Sequence, residues 1–181
     1  MRFARKALLA GILLVAVTAV SFGHCQVPCG IYTDQMRFDM IAEHITTLEK
    51  AMNQIEMLSD NDDKNYNQIV RWVVNKEEHA DKLGTIVTEY FMRQRVKMPD
   101  KGDDEAMKRY DEMLRVLHAM LVSSMKAKQT TDQDHIKALK KQLDEFHELY
   151  FHGKDVDKSH YHRYEPSDSP HSHGDGKMHS H

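Results

Sequence analysis

Between residues 34 and 150 the apolar side chains recur at steps of three and four, the spacing that lines one face of an α-helix. The first stripe, Met36, Met40, Ile41, Ile45, Leu48, Met52 and Ile55, predicts a helix over roughly Asp34 to Leu58. The polar run SDNDDKN (59–65) then breaks the pattern with cap and turn formers. A second stripe, Ile69, Trp72, Val73, Ala80, Leu83, Val87, Tyr90 and Phe91, predicts a helix from about Tyr66 to Val96. KMPDKGDD (97–104) ends it, with Pro99 and Gly102 as punctuation and Asp103 placed to cap the next helix. That third helix runs to about Ala127 with Met107, Tyr110, Leu114, Leu117, Leu121 and Met125 inward. After QTTDQD a fourth stripe follows, Ile136, Leu139, Leu143, Phe146 and Tyr150, with Thr131 as its expected cap. Four amphipathic helices joined by short polar loops predict an all-α, up-down-up-down four-helix bundle.

Composition supports this reading. Methionine is frequent, at 12 residues, while glycine and proline are scarce, at 8 and 4. Methionine fills irregular gaps, so the methionine-rich stripes read as core packing before thioether ligation of a metal. Lysine and arginine number 25 against 28 aspartates and glutamates, which leaves no concentrated basic face and argues against a nucleic-acid partner.

The first 23 residues differ in kind. Arg2, Arg5 and Lys6 form a positive start, and residues 7–23 carry no charge. The run is short for a membrane span, which needs about 20 apolar residues. Ser21 and Gly23 are small and stand three and one positions before His24. This predicts a secretory signal peptide (1–23) cut before His24, and a mature protein that is periplasmic or extracellular without stable membrane association. An uncleaved anchor helix is the alternative. A lipoprotein fits less well, because His24 precedes Cys25 where a small residue is expected.

Both cysteines of the chain then lie in SFGHCQVPCG (21–30). Export puts them in an oxidising compartment, where they could pair, although a bridge across Cys25 and Cys29 would close a very small ring through Pro28. Cleavage before His24 opens another chemistry. The new terminus offers its α-amine and an imidazole, the Cys25 peptide nitrogen can bind as an amidate, and Cys25 and Cys29 add two thiolates. Amine, amidate and two thiolates can form a square plane with the imidazole along its axis. That geometry points to nickel(II) or copper(II) rather than zinc. Pro28 restricts the backbone and Gly30 permits a tight exit.

The stretch HCQVPCGIY (24–32) resembles the nickel hook of nickel superoxide dismutases, H-C-x-x-P-C-G-x-Y, at every fixed position. NKEEHADKLGTIVTEYF (75–91) is similar to that family's second-helix region. The resemblance implies a homohexamer of four-helix bundles with one nickel per subunit, and dismutation of superoxide to dioxygen and hydrogen peroxide by Ni(II)/Ni(III) cycling. It implies that His24 supplies amine and axial imidazole, Cys25 amidate and thiolate, and Cys29 the second thiolate. Tyr32 matches the hook tyrosine that lines the approach to nickel, and Tyr90 a second tyrosine near the site. The family supports the axial imidazole with a carboxylate of the first helix, here Asp39, with Glu43 one turn later as the alternative. His79 falls where some members carry an arginine supporting that carboxylate. Where some members carry an acid and a lysine, this chain has Gln26 and Met92, which leaves Arg93 or Arg95 as the source of steering charge.

From His152 onward the chain has almost no aliphatic residues and carries seven of its thirteen histidines. This predicts a disordered tail (152–181), either a loose binder of divalent metals or merely solvated. The predicted organisation is thus signal peptide 1–23, hook 24–33, bundle 34–151 and tail. A nickel or copper storage protein using hook and tail is the alternative function.

Overall fold

The computed structural model describes residues 34–152; the predicted signal peptide, hook and tail from residue 153 lie outside the described residues. Four helices account for most of that span: α1, Asp34–Asp60; α2, Tyr66–Thr85; α3, Asp104–Gln129; and α4, Asp134–Tyr150. The second helix does not stop at Thr85 but continues as a π-helical segment, Ile86–Arg95. No strand occurs among the described residues, and no described helix is long and apolar enough to cross a membrane.

Local chemistry sets the boundaries. The Asn65 side chain accepts from the Gln68 backbone N–H at 3.2 Å and starts α2. Asp103 caps α3 as expected, accepting from the Ala106 N–H at 2.9 Å. Gly102, just before it, has φ of 101°, a left-handed conformation that side chains rarely adopt. Thr131 does not cap α4. The turn before that helix is held by its neighbours: Asp132 N–H donates to the Thr130 hydroxyl at 3.2 Å, and Asp134 N–H to the Asp132 carboxylate at 2.9 Å. Aspartate at 132 is a better acceptor and already faces the first turn.

Side-chain pairs fix the helix directions. Gln133 meets Asn53, Lys140 meets Glu49 and His147 meets Gln35, so α4 runs antiparallel to α1. Tyr90 meets Asp34 and His44 meets His79, so α2 with its extension is also antiparallel to α1. Lys76 reaches Ala127 and Ser124 reaches Ala80, so α3 reverses again. The result is the up-down-up-down bundle.

The core follows three stripes closely: Ile41, Ile45, Leu48 and Met52; Ala80, Leu83, Val87 and Phe91; and Ile136, Leu139, Leu143 and Phe146 are all buried. Three expected core residues, Met36, Val73 and Met125, are exposed. Met36 lies five residues before Ile41, about 140° around a helix with 3.6 residues per turn. Phe38, three before Ile41, takes the inward place and is fully buried. On α3 the inward positions near the C-terminus belong to Ser123, Ser124 and Ala127. These small side chains let α2 approach closely, and a search for large apolar residues passes over them.

One end of the bundle is aromatic. The Phe38 ring centroid lies 4.9 Å from that of Phe91, 5.2 Å from Phe146, 5.6 Å from Tyr150 and 5.3 Å from Phe151. The contact with Phe146 is stacked and the other three are tilted, and such offset arrangements are favourable ring geometries. This cluster is the floor on which the candidate site stands.

Candidate functional site

Asp34, the first residue of α1, is where three elements meet. Its carboxylate accepts the Tyr90 phenol at 2.6 Å, the Tyr150 phenol at 2.8 Å and the Arg95 guanidinium at 2.6 Å. Tyr90 and Arg95 come from the π-helical segment and Tyr150 from the end of α4. The wider turn is what lets two residues five apart reach one group. Val96 N–H donates to the Phe91 carbonyl, five residues back, at 2.9 Å. In an α-helix residues five apart diverge by about 140°. Here Phe91 and Val96 are both buried, while Tyr90 and Arg95 both reach Asp34. π-Helical turns concentrate at functional sites.

The electrostatics of this cluster are one-sided. Burial pushes the Asp34 carboxyl up, but hydrogen bonds from Arg95, Tyr90 and Tyr150 together outweigh it and hold the group below its ordinary value. Burial, reinforced by Asp34, pushes Tyr90 up to about 12. Burial and the same carboxylate push Tyr150 up to about 12. The bond to Asp34 likewise raises Arg95. Arg37 adds a second cation, its guanidinium carbon 5.0 Å from the Tyr90 ring centroid. Asp34 is therefore an ionised, well-occupied acceptor rather than a general base. Both phenols have committed their protons to it and keep only oxygen lone pairs for anything else.

A second chain of bonds runs one residue further along. The Gln35 amide nitrogen donates to the Asp39 carboxylate at 3.0 Å, and its oxygen lies 3.0 Å from Nε2 of His147, a buried ring packed edge-on against Phe38. Gln35 thus orients Asp39 from a fixed point in the core. Glu43, one turn on, is exposed. His79 lies on His44, with the two Nδ1 atoms 3.1 Å apart.

Of the residues singled out from sequence, His24, Cys25, Cys29 and Tyr32 lie outside the described residues. Asp39, His79 and Tyr90 are described, and the structure gives each the hydrogen-bond partner stated above. Arg93 and Arg95 are both neutralised, by Glu89 at 2.7 Å and by Asp34 at 2.6 Å. Sequence reasoning passed over Asp34, Gln35, His147 and Tyr150. Asp34 and Gln35 look like an ordinary helix start, and Tyr150 like the last member of a core stripe. Their convergence depends on the antiparallel packing of α1 with both α2 and α4.

Among the described residues no three His, Cys, Asp or Glu side chains come together to hold a metal ion. The donor set expected from sequence, His24, Cys25 and Cys29, lies outside the described residues; its nitrogen and sulfur atoms are of the type that nickel(II) prefers. The described residues define an all-α four-helix bundle. The sequence profile of nickel-containing superoxide dismutase matches residues 16–154, and the chain belongs to that family. It is an enzyme of this type, a nickel-containing oxidoreductase acting on superoxide. Neither a curated protein nor a solved structure matches it.

Proposed function

We propose that the protein is exported, loses residues 1–23, and dismutes superoxide at one nickel per subunit bound by its new N-terminus, as a homohexamer. The observation that carries this reading is HCQVPCGIY at residues 24–32, inside the span that the family profile matches. The positive start and the uncharged run that end at Gly23 support export and cleavage, and with them a periplasmic or extracellular location.

In this reading cleavage makes a ligand. An uncut chain presents an amide at His24, which is a poor donor, whereas a free α-amine has a pKa of about 7.7–8.0 and loses its proton readily. Cys25 contributes its amidate and thiolate, and Cys29 a second thiolate. When bound, nickel supplies a one-electron couple between its II and III states, brought into reach by these electron-rich donors. The remaining work belongs to the protein. By the family resemblance Asp39, which accepts from the Gln35 amide, would accept the second N–H of the His24 ring and fix its tautomer, with Glu43 as the alternative acceptor. Tyr32 donates its phenolic proton to the incoming anion or to a water in its place. Tyr90, whose own proton rests on Asp34, offers an acceptor oxygen.

Intact mass and metal content of the native protein test the reading together with superoxide consumption. A mature chain beginning at His24 and carrying one nickel is expected. Fully active material beginning upstream, or equal activity with zinc alone, overturns it.

A further inference from the structure

We propose that His44 and His79 form a second metal site, bridging α1 and α2, that takes a late first-row divalent cation, copper(II) before zinc(II). The two Nδ1 atoms face each other at 3.1 Å across the helix interface, and the rings are edge-on with centroids 5.0 Å apart. For metal–nitrogen bonds of about 2.0–2.1 Å this separation corresponds to an N–metal–N angle of about 98°. That lies between square-planar and tetrahedral values, so the nitrogen separation suits one ion held by both rings.

The surroundings favour such an ion. His44 opens onto a groove lined by Met40, Glu78, Asp81 and Lys82, which provides a path from solvent. Glu78 is bridged to Lys82 at 2.7 Å and Asp81 to Lys128 at 2.8 Å, so the carboxylates and ammoniums of the groove balance and leave it open to a cation without a net positive charge at its mouth. Burial, with help from His79 and Lys82, lowers His44 to about 4, and burial and Lys82 lower His79. Both rings are therefore neutral near neutral pH, the form that binds metals. Binding moves the shared ring proton to Nε2 of its own ring and releases none. No third His, Cys, Asp or Glu joins the pair among the described residues, so water completes the coordination. With nitrogen ligands and open positions, the usual affinity order puts copper(II) above zinc(II).

The proposed site uses none of the N-terminal donors as ligands, and its test does not use activity. Nickel-loaded mature protein, with its C-terminal tail, is titrated with zinc and with copper(II), alongside His44→Asn and His79→Asn. The wild type is expected to bind one more ion per chain than either variant, and its thermal midpoint to rise with zinc while theirs shift less. Zinc-soaked crystals of the wild type should show anomalous density within bonding distance of both Nδ1 atoms. Equal stoichiometry in all three proteins, or density confined to other histidines, overturns the proposal. If a variant fails to fold, the wild-type density decides alone.

Discussion

The Tyr90 phenol donates its one proton to Oδ1 of Asp34, 2.6 Å away, while Tyr150 and Arg95 take up the other oxygen. Asp34 stands five residues after Cys29 in the chain and opens α1, and its carboxylate accepts from three side chains of two other elements. Burial and the Asp34 charge hold both phenols protonated, and Asp34→Asn removes the second of these. In the wild type the neutral phenols are stable up to the ordinary value of 10, and their contribution is lost as pH rises towards about 12. In the variant both should ionise closer to 10, read from the near-ultraviolet absorbance of tyrosinate. The carboxylate itself titrates in the opposite sense. Its contribution is complete above the ordinary 3.8 and lost as pH falls through the lower folded value. Acid unfolding of the variant should therefore lack that step. Superimposable alkaline and acid profiles for the two proteins would remove Asp34 from the role assigned to it.

Lys76 is the bundle's only buried lysine among the described residues, at 4% exposure, and it closes the C-terminus of α3. Its ammonium donates to the carbonyls of Ala127, Lys128 and Thr130 at 2.8, 2.5 and 3.1 Å. These are carbonyls that the end of a helix leaves without intrahelical donors. Lys76→Met keeps the stem and strands the carbonyls, at a cost of about 1–3 kcal/mol. Chemical denaturation should show the midpoint falling at unchanged slope. A midpoint within error of wild type would mean that water serves those carbonyls equally well.

The contrast between Lys76 and Leu83 shows what periodicity can reveal. Leu83 is an apolar residue at the expected step and is buried, like most of the large side chains on α1, α2 and α4. Helix number, order and direction follow from such residues because burial of an apolar face is the main driving force and is written locally. Lys76 carries the wrong chemistry for a core stripe, and only the carbonyls of a helix some fifty residues away make its burial favourable. The π-helical turn is hidden for the same reason. IVTEYFMRQR has ordinary helix-forming residues, and what widens the turn is the tertiary demand that both Tyr90 and Arg95 reach Asp34. The proposed metal donors are the reverse case. His24, Cys25 and Cys29 are singled out by spacing and donor type, because a chelating segment of six residues needs no distant partner to be read.

Tyr32→Phe tests the approach to the metal rather than its binding. The phenol is proposed to hydrogen-bond an anion or water, a contact that contributes nothing to the nitrogen and sulfur donor set. Nickel content should stay at the wild-type level while inhibition by small anions and by peroxide changes. Identical inhibition profiles would take Tyr32 off the path.

Inserting one alanine between Gly23 and His24 separates the ligand set from everything else. The cut then leaves Ala-His-Cys, so His24 keeps its imidazole and both cysteines keep their thiolates, but the α-amine moves to a residue without a role. The amide nitrogen that replaces it at His24 is a far weaker base and binds only by losing a proton. The bundle, beginning at Asp34, is untouched, so folding and thermal stability should match wild type. Superoxide consumption should be abolished, with mass spectrometry confirming the extra residue. Full activity in that variant would defeat the amine ligand, and with it the idea that proteolysis completes the metal centre.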